Sequence, residues 1–333
     1  MNTDTVTCFG PDRIRAAVGT RDVLEPVRQA LVDHSRGLGE APAVVFAPAG
    51  REGDVHVKSA WLPGRSVFTV KVASWFPARK ELGLPPGSGI VAAFDAATGD
   101  LRALLEDDHH LSDIRTAAAG ALGARALATP HASVLGVVGT GVQGYLQALA
   151  VADSLPVRTV HVWGRDPAAV RRVVDALAAR RPDLDVRPAP DLARMCGAVD
   201  ALVTATSSTE PLIRHDWLRP GVHVNAVGAD DPFKAELTEE CFRRAHRVVV
   251  DSRALNRLHG ELSRVQDGEI EVVELGAVLS GDAPGRSGDE DITVCKLIGL
   301  GVQDLAAAET ALKRLDAGTH MSDPPSALDL LPE

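Results

Sequence analysis

The amino-acid sequence predicts an α/β fold with a Rossmann-type parallel-sheet domain and a second, α+β domain. From Ser133 onward, short apolar strands alternate with helical segments, and this repeated βαβ order is typical of a parallel, doubly wound sheet. Before Ser133, helical segments are followed by strands of alternating polarity that Pro and Gly turns separate. The length of 333 residues accommodates both domains.

The first half of the chain supplies the elements of the α+β domain in order. Pro11 begins one helix, and apolar residues at helical spacing predict a second over 20–37. Alternating runs then predict three strands and a hairpin that turns at Thr98–Asp100, over 43–48, 54–62, 66–76 and 89–105. Ser112 is placed to cap a long alanine-rich helix that stops at Thr129.

The second half supplies the parallel sheet. Its predicted strands share short apolar runs and lie at 134–139, 159–164, 200–207, 223–229 and 247–252. Helices lie between them, and a final helix over 298–315 follows a polar loop. We expect the last stretch, 319–333, to be a flexible tail.

The glycine motif Gly139-x-Gly141-x-x-Gly144 is the most informative feature of the chain. An apolar strand precedes it and an amphipathic helix follows. In a dinucleotide-binding turn, the first glycine makes the turn and the second lets a pyrophosphate approach the backbone. The third lets helix and strand pack closely, and the helix N-terminus offers N–H donors. An ordinary strand-to-helix turn is the alternative.

The residues after the second strand of this domain bear on the choice between NAD and NADP. A carboxylate at that strand end binds the ribose diol of NAD. Here Gly164 stands at the strand end and Arg165 follows, which favours the 2′-phosphate of NADP. Asp166 leaves NAD(H) open, unless it caps the helix that begins at Pro167.

Composition argues against several classes of function. The net charge of −10, with no basic cluster, argues against a nucleic-acid partner. No apolar run approaches the ~18 residues of a membrane span, so no membrane partner is expected. The four cysteines and eleven histidines lack ligand spacing, so no metal site is expected. The N-terminus lacks a signal-peptide pattern, and we expect reduced thiols and a cytoplasmic location.

Two basic side chains are candidates for chemistry. Lys71 lies inside an alternating strand, where burial lowers the pKa of an ammonium group. The alternative is a lysine on the wet face or at a sheet edge. Arg115 falls in the first turn of its predicted helix, where a guanidinium group can bind a carboxylate. The alternative is a surface pair with Asp108 or Asp113.

Asp230 and Asp231 follow the strand at 223–229. Ligands of parallel sheets bind beyond the carboxyl ends of the strands, and a carboxylate there can transfer a proton or hold an ammonium group. One of the two is expected to cap a helix over 232–240, a role that suits Asp231 better.

These residues together resemble the ornithine cyclodeaminase/mu-crystallin family, from about residue 40 to residue 310. The resemblance rests on seven blocks in the family's order. They are VKVASWFP; LSDIRTAAAGALGARALA after a Thr-Gly hairpin; GTGVQGYLQALA; VTATSSTEPLI; VNAVGADDPFKAEL; VVVDSRA; and ELGAVLSGDAPGR with DITVCKLIGLGVQDLAAA.

The resemblance implies how the chain is organised. A substrate-binding and dimerisation domain is expected at 1–120 together with 291–318, and an NAD(P)-binding domain at 121–290. A homodimer and a small-molecule amino or imino acid substrate are implied. Family members with an arginine at the position of Arg165 tend to accept NADPH, so NADP(H) is favoured over NAD(H).

The resemblance also assigns site residues. Lys71 would act on and bind the substrate, Arg115 would hold its carboxylate, and Asp230 would face the reacting nitrogen. The cofactor would contact the glycine turn and three strand ends, at Gly139, Thr140, Gly141, Val142, Gln143, Gly144, Gly164, Arg165, Thr204, Ala205, Thr206, Val227 and Gly228.

Two departures from the family pattern point to a substrate other than ornithine. Members that bind plain α-amino acids place an arginine two residues after a proline, where this chain has Val44. A frequent Pro-x-Asn pattern is Pro77-Ala78-Arg79 here, and Arg79 is a candidate for replacing the lost charge.

The function favoured at this point is an NAD(P)(H)-dependent imine or ketimine reductase, or an amino-acid dehydrogenase. Two alternatives stay open. The first is an ornithine cyclodeaminase-type ammonia-lyase that uses catalytic NAD. The second is a non-catalytic, NADPH-binding protein similar to mu-crystallin.

Overall fold

A computed structural model describes residues 6–48, 52–266 and 268–318. The chain divides into two compact units, Met1–Arg115 with Leu300–Glu333, and Thr116–Gly299. These units differ from the predicted domains at 116–120 and 291–299. Residues 291–299 belong to the second unit because Thr293–Lys296 forms a strand of its parallel sheet. The predicted tail, 319–333, lies outside the described residues.

The strands and helices follow one another in this order within the described residues. The strands are β1 (Thr7–Phe9), β2 (Ala43–Phe46), β3 (Asp54–Ala60), β4 (Val67–Trp75), β5 (Gly87–Asp95), β6 (Leu101–Leu105), β7 (Val134–Val138), β8 (Thr159–Trp163), β9 (Asp185–Pro188), β10 (Ala201–Thr204), β11 (His223–Ala226), β12 (Arg247–Val250), β13 (Val272–Glu274) and β14 (Thr293–Lys296). The helices are α1 (Pro11–Ala17), α2 (Thr20–Ser35), α3 (His110–Leu127), α4 (Val142–Ser154), α5 (Pro167–Arg180), α6 (Leu192–Cys196), α7 (Glu239–Arg243), α8 (Arg253–Asn256), α9 (Leu275–Ser280) and α10 (Gly301–Asp316). Short 3₁₀ turns lie at Pro77–Leu82, His215–Trp217 and Glu261–Arg264.

The first unit contains a mixed sheet in the order β1-β6-β5-β4-β3-β2. β1 is parallel to β6, and the other neighbours are antiparallel. Helix α10 packs against α2, β3 and β4 through an apolar side that includes Leu305. Its start is in close contact with β3, because a Cβ on Gly301 would lie 2.4 Å from the Ser59 carbonyl oxygen.

Strand β4 alternates as a half-buried strand should. Thr69, Lys71 and Ala73 are buried, whereas Val72 is exposed. In the register of the sheet, Lys71 lies opposite Lys58 of β3, and Val72 lies opposite Val57. The alternation therefore places Lys71 on the face that the helices cover.

The second unit contains a parallel sheet in the order β13-β12-β14-β11-β10-β7-β8-β9. The strand order reverses between β7 and β10, which is the switch point where doubly wound sheets bind their ligands. Apolar side chains of neighbouring strands, including Val138, Leu202 and Val224, form its core with Phe242 of α7. The predicted α/β class with a parallel sheet is confirmed.

Several local predictions were wrong or incomplete. Helix α3 begins at His110, so Ser112 lies inside it, and the cap is Asp107, whose carboxylate accepts the Leu111 N–H at 2.8 Å. The helix predicted over 232–240 is absent, since helix α7 occupies only Glu239–Arg243 in that region of the described chain. Strands β1, β9, β13 and β14, each of three or four residues, were not predicted.

The described residues also bear on membrane insertion, metal binding and thiol chemistry. No helix among them has the length and apolarity needed to cross a membrane. Within the same residues, no group of His, Cys, Asp or Glu side chains is placed to hold a metal ion. The four cysteines are free thiols; burial raises the pKa of Cys196 to about 12 and that of Cys241 to about 11.

Candidate active site

A buried carboxylate joins two of the predicted site residues in the first unit. Asp304 Oδ2 lies 2.8 Å from Lys71 Nζ, and Asp304 Oδ1 accepts a hydrogen bond from Arg115 Nε at 2.8 Å. Lys71 is 3% exposed, Arg115 6% and Asp304 1%. The alternatives of a wet-face lysine and a surface arginine are therefore wrong. One carboxylate holds an ammonium and a guanidinium group side by side.

Asp304 is a member of this cluster that sequence reasoning missed. Burial alone would raise the pKa of its carboxyl group, but the charges of Arg115, Lys71 and Lys58 outweigh burial and hold that pKa well below its usual range. The residue occupies the first turn of α10, where the helix dipole favours a negative charge. An acidic residue in the first turn of a helix, followed directly by the apolar run Leu305–Ala308, was the available signal.

Lys71 occupies an environment that weakens its hold on its proton. Burial lowers the pKa of the ammonium group, and the charge of Asp304 opposes this while that of Arg115 adds to it. Lys71 Nζ also donates to Ser112 Oγ at 3.0 Å. The serine predicted as a helix cap thus serves as a partner of the lysine. An amine in this state gives up its proton to a ligand more readily than a solvent-exposed lysine does.

A second carboxyl group lies in the electrostatic environment of Lys71. Asp107 is 1% exposed, and burial raises its pKa to about 6, although the hydrogen bond from Leu111 opposes the shift. Its charge acts on Lys71 in turn. The region around the lysine therefore changes charge between mildly acidic and neutral pH.

The structure gives Arg79 no part in this cluster. Its Nε donates to the Pro85 carbonyl oxygen at 2.7 Å, which closes its own loop. The Asp304 carboxylate contacts Lys71 and Arg115. Val44 is 59% exposed, and the register places it on the face of the sheet opposite to Lys71.

The glycine turn of the second unit has the form that a dinucleotide requires. Gly139 has a φ of 125°, and a Cβ there would lie 2.3 Å from the Ala205 carbonyl oxygen. A Cβ on Gly144 would lie 2.3 Å from the Gly139 carbonyl oxygen. A Cβ on Gly141 would meet nothing within 4 Å, which leaves open space at the N-terminus of α4. These residues fit a bound pyrophosphate.

A buried acid, Glu236, holds two strand ends in place. Its carboxylate accepts hydrogen bonds from Thr204 Oγ1 at 2.8 Å, from the Thr206 N–H at 2.6 Å and from the Gly228 N–H at 2.7 Å. Burial raises its pKa, and the charge of Glu261 adds to this effect. Sequence reasoning gave Glu236 no role, although the residue lies in the block VNAVGADDPFKAEL. The predicted cofactor residues at the ends of β10 and β11 are thus fixed by one side chain.

The end of β8 lacks a carboxylate at the strand terminus. A Cβ on Gly164 would lie 2.6 Å from Thr140 Cγ2, so the turn leaves little room for a side chain there. Asp166 accepts the Ala168 N–H at 2.8 Å and caps α5. Arg165 between them is exposed. The carboxylate nearest this end is therefore already a helix cap.

Asp230 and Asp231 have different roles in the second unit. Asp231 Oδ1 accepts the N–H groups of Phe233 and Lys234, at 2.7 and 2.8 Å, so it caps a turn. Asp230 Oδ1 lies 2.8 Å from Lys234 Nζ, and its side chain is 35% exposed. The structure thus brings Lys71 and Arg115 together in one unit and places Asp230 with Lys234 in the other.

A dinucleotide-binding oxidoreductase is the class of protein that this fold and these residues define. Residues 12–319 match the model of the ornithine cyclodeaminase/mu-crystallin family. The chain belongs to that family, and the family predicted from the sequence is confirmed.

Similar proteins include reductases and a dehydrogenase. A protein of Rhizobium meliloti (strain 1021) that is named as a dehydrogenase is 38% identical over 275 residues, 80% of this chain and 83% of its own length. Iminosuccinate reductase of Paracoccus denitrificans (strain Pd 1222) is 33% identical over 251 residues, 74% and 77% of the two chains. Ketimine reductase mu-crystallin of Mus musculus is 28% identical over 300 residues, 89% and 93%.

Solved structures share the fold over nearly the whole chain. The iminosuccinate reductase of Paracoccus denitrificans in complex with NAD⁺ matches with a TM-score of 0.86 and 28% identity, over 95% of this chain and 98% of its own. An archaeal alanine dehydrogenase dimer with bound NAD matches with a TM-score of 0.86 and 25% identity, over 95% and 98%.

Proposed function

We propose that the protein is an NAD(P)H-dependent imine reductase that converts the C=N bond of a 2-imino acid to an amine. The observation that carries this proposal is the buried pair of Lys71 and Arg115 on Asp304, in a chain whose glycine turn fits a dinucleotide. Burying cations costs free energy, and a protein that only binds a cofactor has no need of them. The names of the similar reductases support the same reaction class.

The residues of the chain supply binding and proton transfer. Arg115 would pair with the substrate carboxylate, which fixes the position of the neighbouring carbon. A neutral imine accepts hydride poorly and an iminium accepts it well, so a proton must be held at the nitrogen. Lys71 Nζ, whose pKa burial lowers, is one proton donor, and Asp230 is the other candidate. When bound, the nicotinamide supplies the hydride.

The residues that would hold the cofactor lie in the second unit. They are the turn at 139–144, the strand ends that Glu236 fixes, and the end of β8. NADP(H) is the favoured form, because exposed Arg165 can meet a 2′-phosphate while Asp166 is already a helix cap. Similar structures hold NAD⁺ or NAD, so both forms belong in the assay.

Net cofactor turnover tests the proposal. The purified protein is incubated with NADPH or NADH and with a panel of oxo acids plus ammonia or methylamine, cyclic ketimines and diamino acids. Absorbance and free ammonia are followed together. A reductase oxidises one NAD(P)H for each amine formed. A cyclodeaminase, which would use the same residues, releases ammonia from a diamino acid with no net change of cofactor, and that result would overturn the proposal.

We propose further that the protein is a homodimer formed through the open face of the first sheet. Val44 of β2, Val57 of β3, Val72 of β4 and Ile90 of β5 form a cross-strand row, in which Val44, Val72 and Ile90 are 59%, 38% and 41% exposed. An apolar row of this kind is typical of an interface. The occupant proposed is a second copy, since a similar structure is a dimer.

Sedimentation tests the dimer. The wild-type chain should sediment at twice the mass of the 35.0 kDa chain, and Val72→Glu should sediment as a monomer. Leu258→Glu is the matched control, because Leu258 is an exposed apolar residue of the second unit. A monomeric wild-type protein, or a Val72→Glu dimer of unchanged affinity, would contradict the proposal.

A further inference from the structure

A third buried cation, Lys58, lies opposite Lys71 in the first sheet. We propose that Lys58 binds a second acidic group of the substrate, so that the protein acts on a dicarboxylic imino or amino acid. This inference rests on the proposed function, in that it names the substrate class of the same site.

The register of the first sheet carries the argument. Lys58 of β3 lies directly opposite Lys71 of β4, so the two side chains leave the same face of the sheet. Lys58 is 4% exposed. Like charges directly opposite each other destabilise a sheet, and buried lysines are rare. An arrangement that costs stability in two ways points to a role in binding.

The position of α10 brings Lys58 into the same cluster. The helix starts against β3, where the Gly301 backbone packs on the Ser59 carbonyl oxygen, and Asp304 follows within its first turn. The charge of Lys58 acts on Asp304, together with those of Arg115 and Lys71. The charges of three cations therefore act on a carboxylate whose two oxygens contact Arg115 and Lys71.

The charges of the cluster indicate how many negative charges a bound substrate should carry. Three cations act on Asp304, and the further carboxyl group that acts on Lys71 is Asp107. Burial raises the pKa of Asp107 to about 6, so a nearby anion can leave it protonated. Among these five groups, the positive charges exceed the negative ones by one or two. One substrate carboxylate on Arg115 and Lys71 and a second on Lys58 would bring two negative charges to them.

Lys58 also bears on the position of Val44, where family members that bind plain α-amino acids have an arginine. Arg79 is bound to its own loop, and Val44 lies on the opposite face of the sheet. Lys58 adds its charge on the face of Lys71 itself. The substrate should accordingly differ from plain α-amino acids by an acidic group rather than by an apolar one.

The test compares ligands that differ by one carboxylate. L-malate and L-lactate are non-reacting hydroxy acids, and their affinities are measured by calorimetry with NADPH-saturated protein and with protein alone. Wild-type protein should bind L-malate at least tenfold more tightly than L-lactate. Lys58→Met should weaken L-malate binding by about 10- to 100-fold, the range expected for a charge-assisted contact, and change L-lactate binding less than threefold.

Two further variants serve as controls for Lys58→Met. Lys58→Gln keeps a polar side chain should the methionine variant not fold. Lys313→Met removes a positive charge from the exposed side of α10, and it should leave both affinities unchanged. Equal weakening of both ligands by the Lys58 variants, or no preference for L-malate in the wild type, would overturn the proposal.

Turnover separates this inference from the proposed function. Reduction is assayed with oxaloacetate plus ammonia and with pyruvate plus ammonia. If Lys58→Met lowers kcat/KM for both pairs equally, the imine reductase stands and the role of Lys58 fails. If no imine is reduced while the preference for L-malate is lost in Lys58→Met, the role of Lys58 stands and the reductase fails.

Discussion

The substitution Asp304→Asn tests the cluster at the centre of the first unit. It keeps the size and a hydrogen-bonding oxygen of the side chain but removes the charge that lies between Lys71 and Arg115. Removing one partner of a buried ion pair costs about 3–5 kcal/mol, because the other charge is left buried and uncompensated. With an unfolding entropy of about 2.1 cal/mol/K per residue over 333 residues, Tm should fall by roughly 4–7 °C.

The same substitution should alter the pH dependence of turnover. Asp304 raises the pKa of Lys71, so its loss lets the ammonium group release its proton at a lower pH. The alkaline limb of kcat/KM should therefore move to lower pH. Misplacement of Arg115 and Lys71 should lower kcat/KM roughly 100-fold.

Scanning calorimetry and a pH series of NAD(P)H oxidation measure these effects. Asp316→Asn is the matched control, because Asp316 lies in the same helix but pairs with Arg102 at the surface. An exposed pair contributes less than about 1 kcal/mol. Wild-type stability together with an unmoved alkaline limb in Asp304→Asn would refute the assignment of Asp304 as the residue that positions Lys71.

Three further predictions concern other parts of the protein. Arg165→Ser should raise KM for NADPH about 10- to 100-fold and leave KM for NADH within threefold, as steady-state kinetics with both cofactors would measure; equal effects would contradict the NADP preference. Glu236→Gln should weaken NADPH binding in a fluorescence titration, because one charged acceptor holds both strand ends, and an unchanged Kd would count against this role. Asp107→Asn should remove a pH dependence of stability. The pKa of Asp107 is about 6 in the folded chain and about 3.8 unfolded, so wild-type stability should fall by about 2 kcal/mol as pH rises from 4 to 7. Urea unfolding across this range tests the difference, and parallel curves for variant and wild type would disprove it.

The features that could be predicted from the sequence are those that local patterns specify. The alternation of β4 predicts a half-buried strand without knowledge of the neighbouring strands, but which face Lys71 takes follows only from the packing of the helices. The strand–glycine–helix order at Gly139 likewise defines a turn within a dozen residues. Such patterns depend on the period of one element, so no tertiary information is needed.

The missed residues depend on contacts between distant parts of the chain. Arg115 and Asp304 are separated by 189 positions, and Asp304 becomes a site residue only when α10 packs on β3 and β4. Lys58 can be assigned to the cluster only from the strand register, which places it opposite Lys71. Glu236 reaches back to Thr204 across 32 positions. Pairing of this kind follows from topology, which single-sequence patterns do not encode.

The helix cap illustrates a local prediction that tertiary structure overrode. Ser112 is a favourable cap residue, yet α3 begins two residues earlier with Asp107 as its acceptor. The serine hydroxyl is bound to the ammonium group of Lys71 instead. A buried lysine needs hydrogen-bond partners more than the helix needs a second cap.

Transfer of a labelled hydride tests the central claim most directly. The protein is supplied with NADPH deuterated at C4 on the transferring face, an oxo acid and ammonia, and the product is analysed by mass spectrometry and NMR. We predict an amino acid with one deuterium on the carbon that bears nitrogen, and loss of its formation in Lys71→Met. An unlabelled product, or labelled product formed at the wild-type rate by Lys71→Met, would contradict the account.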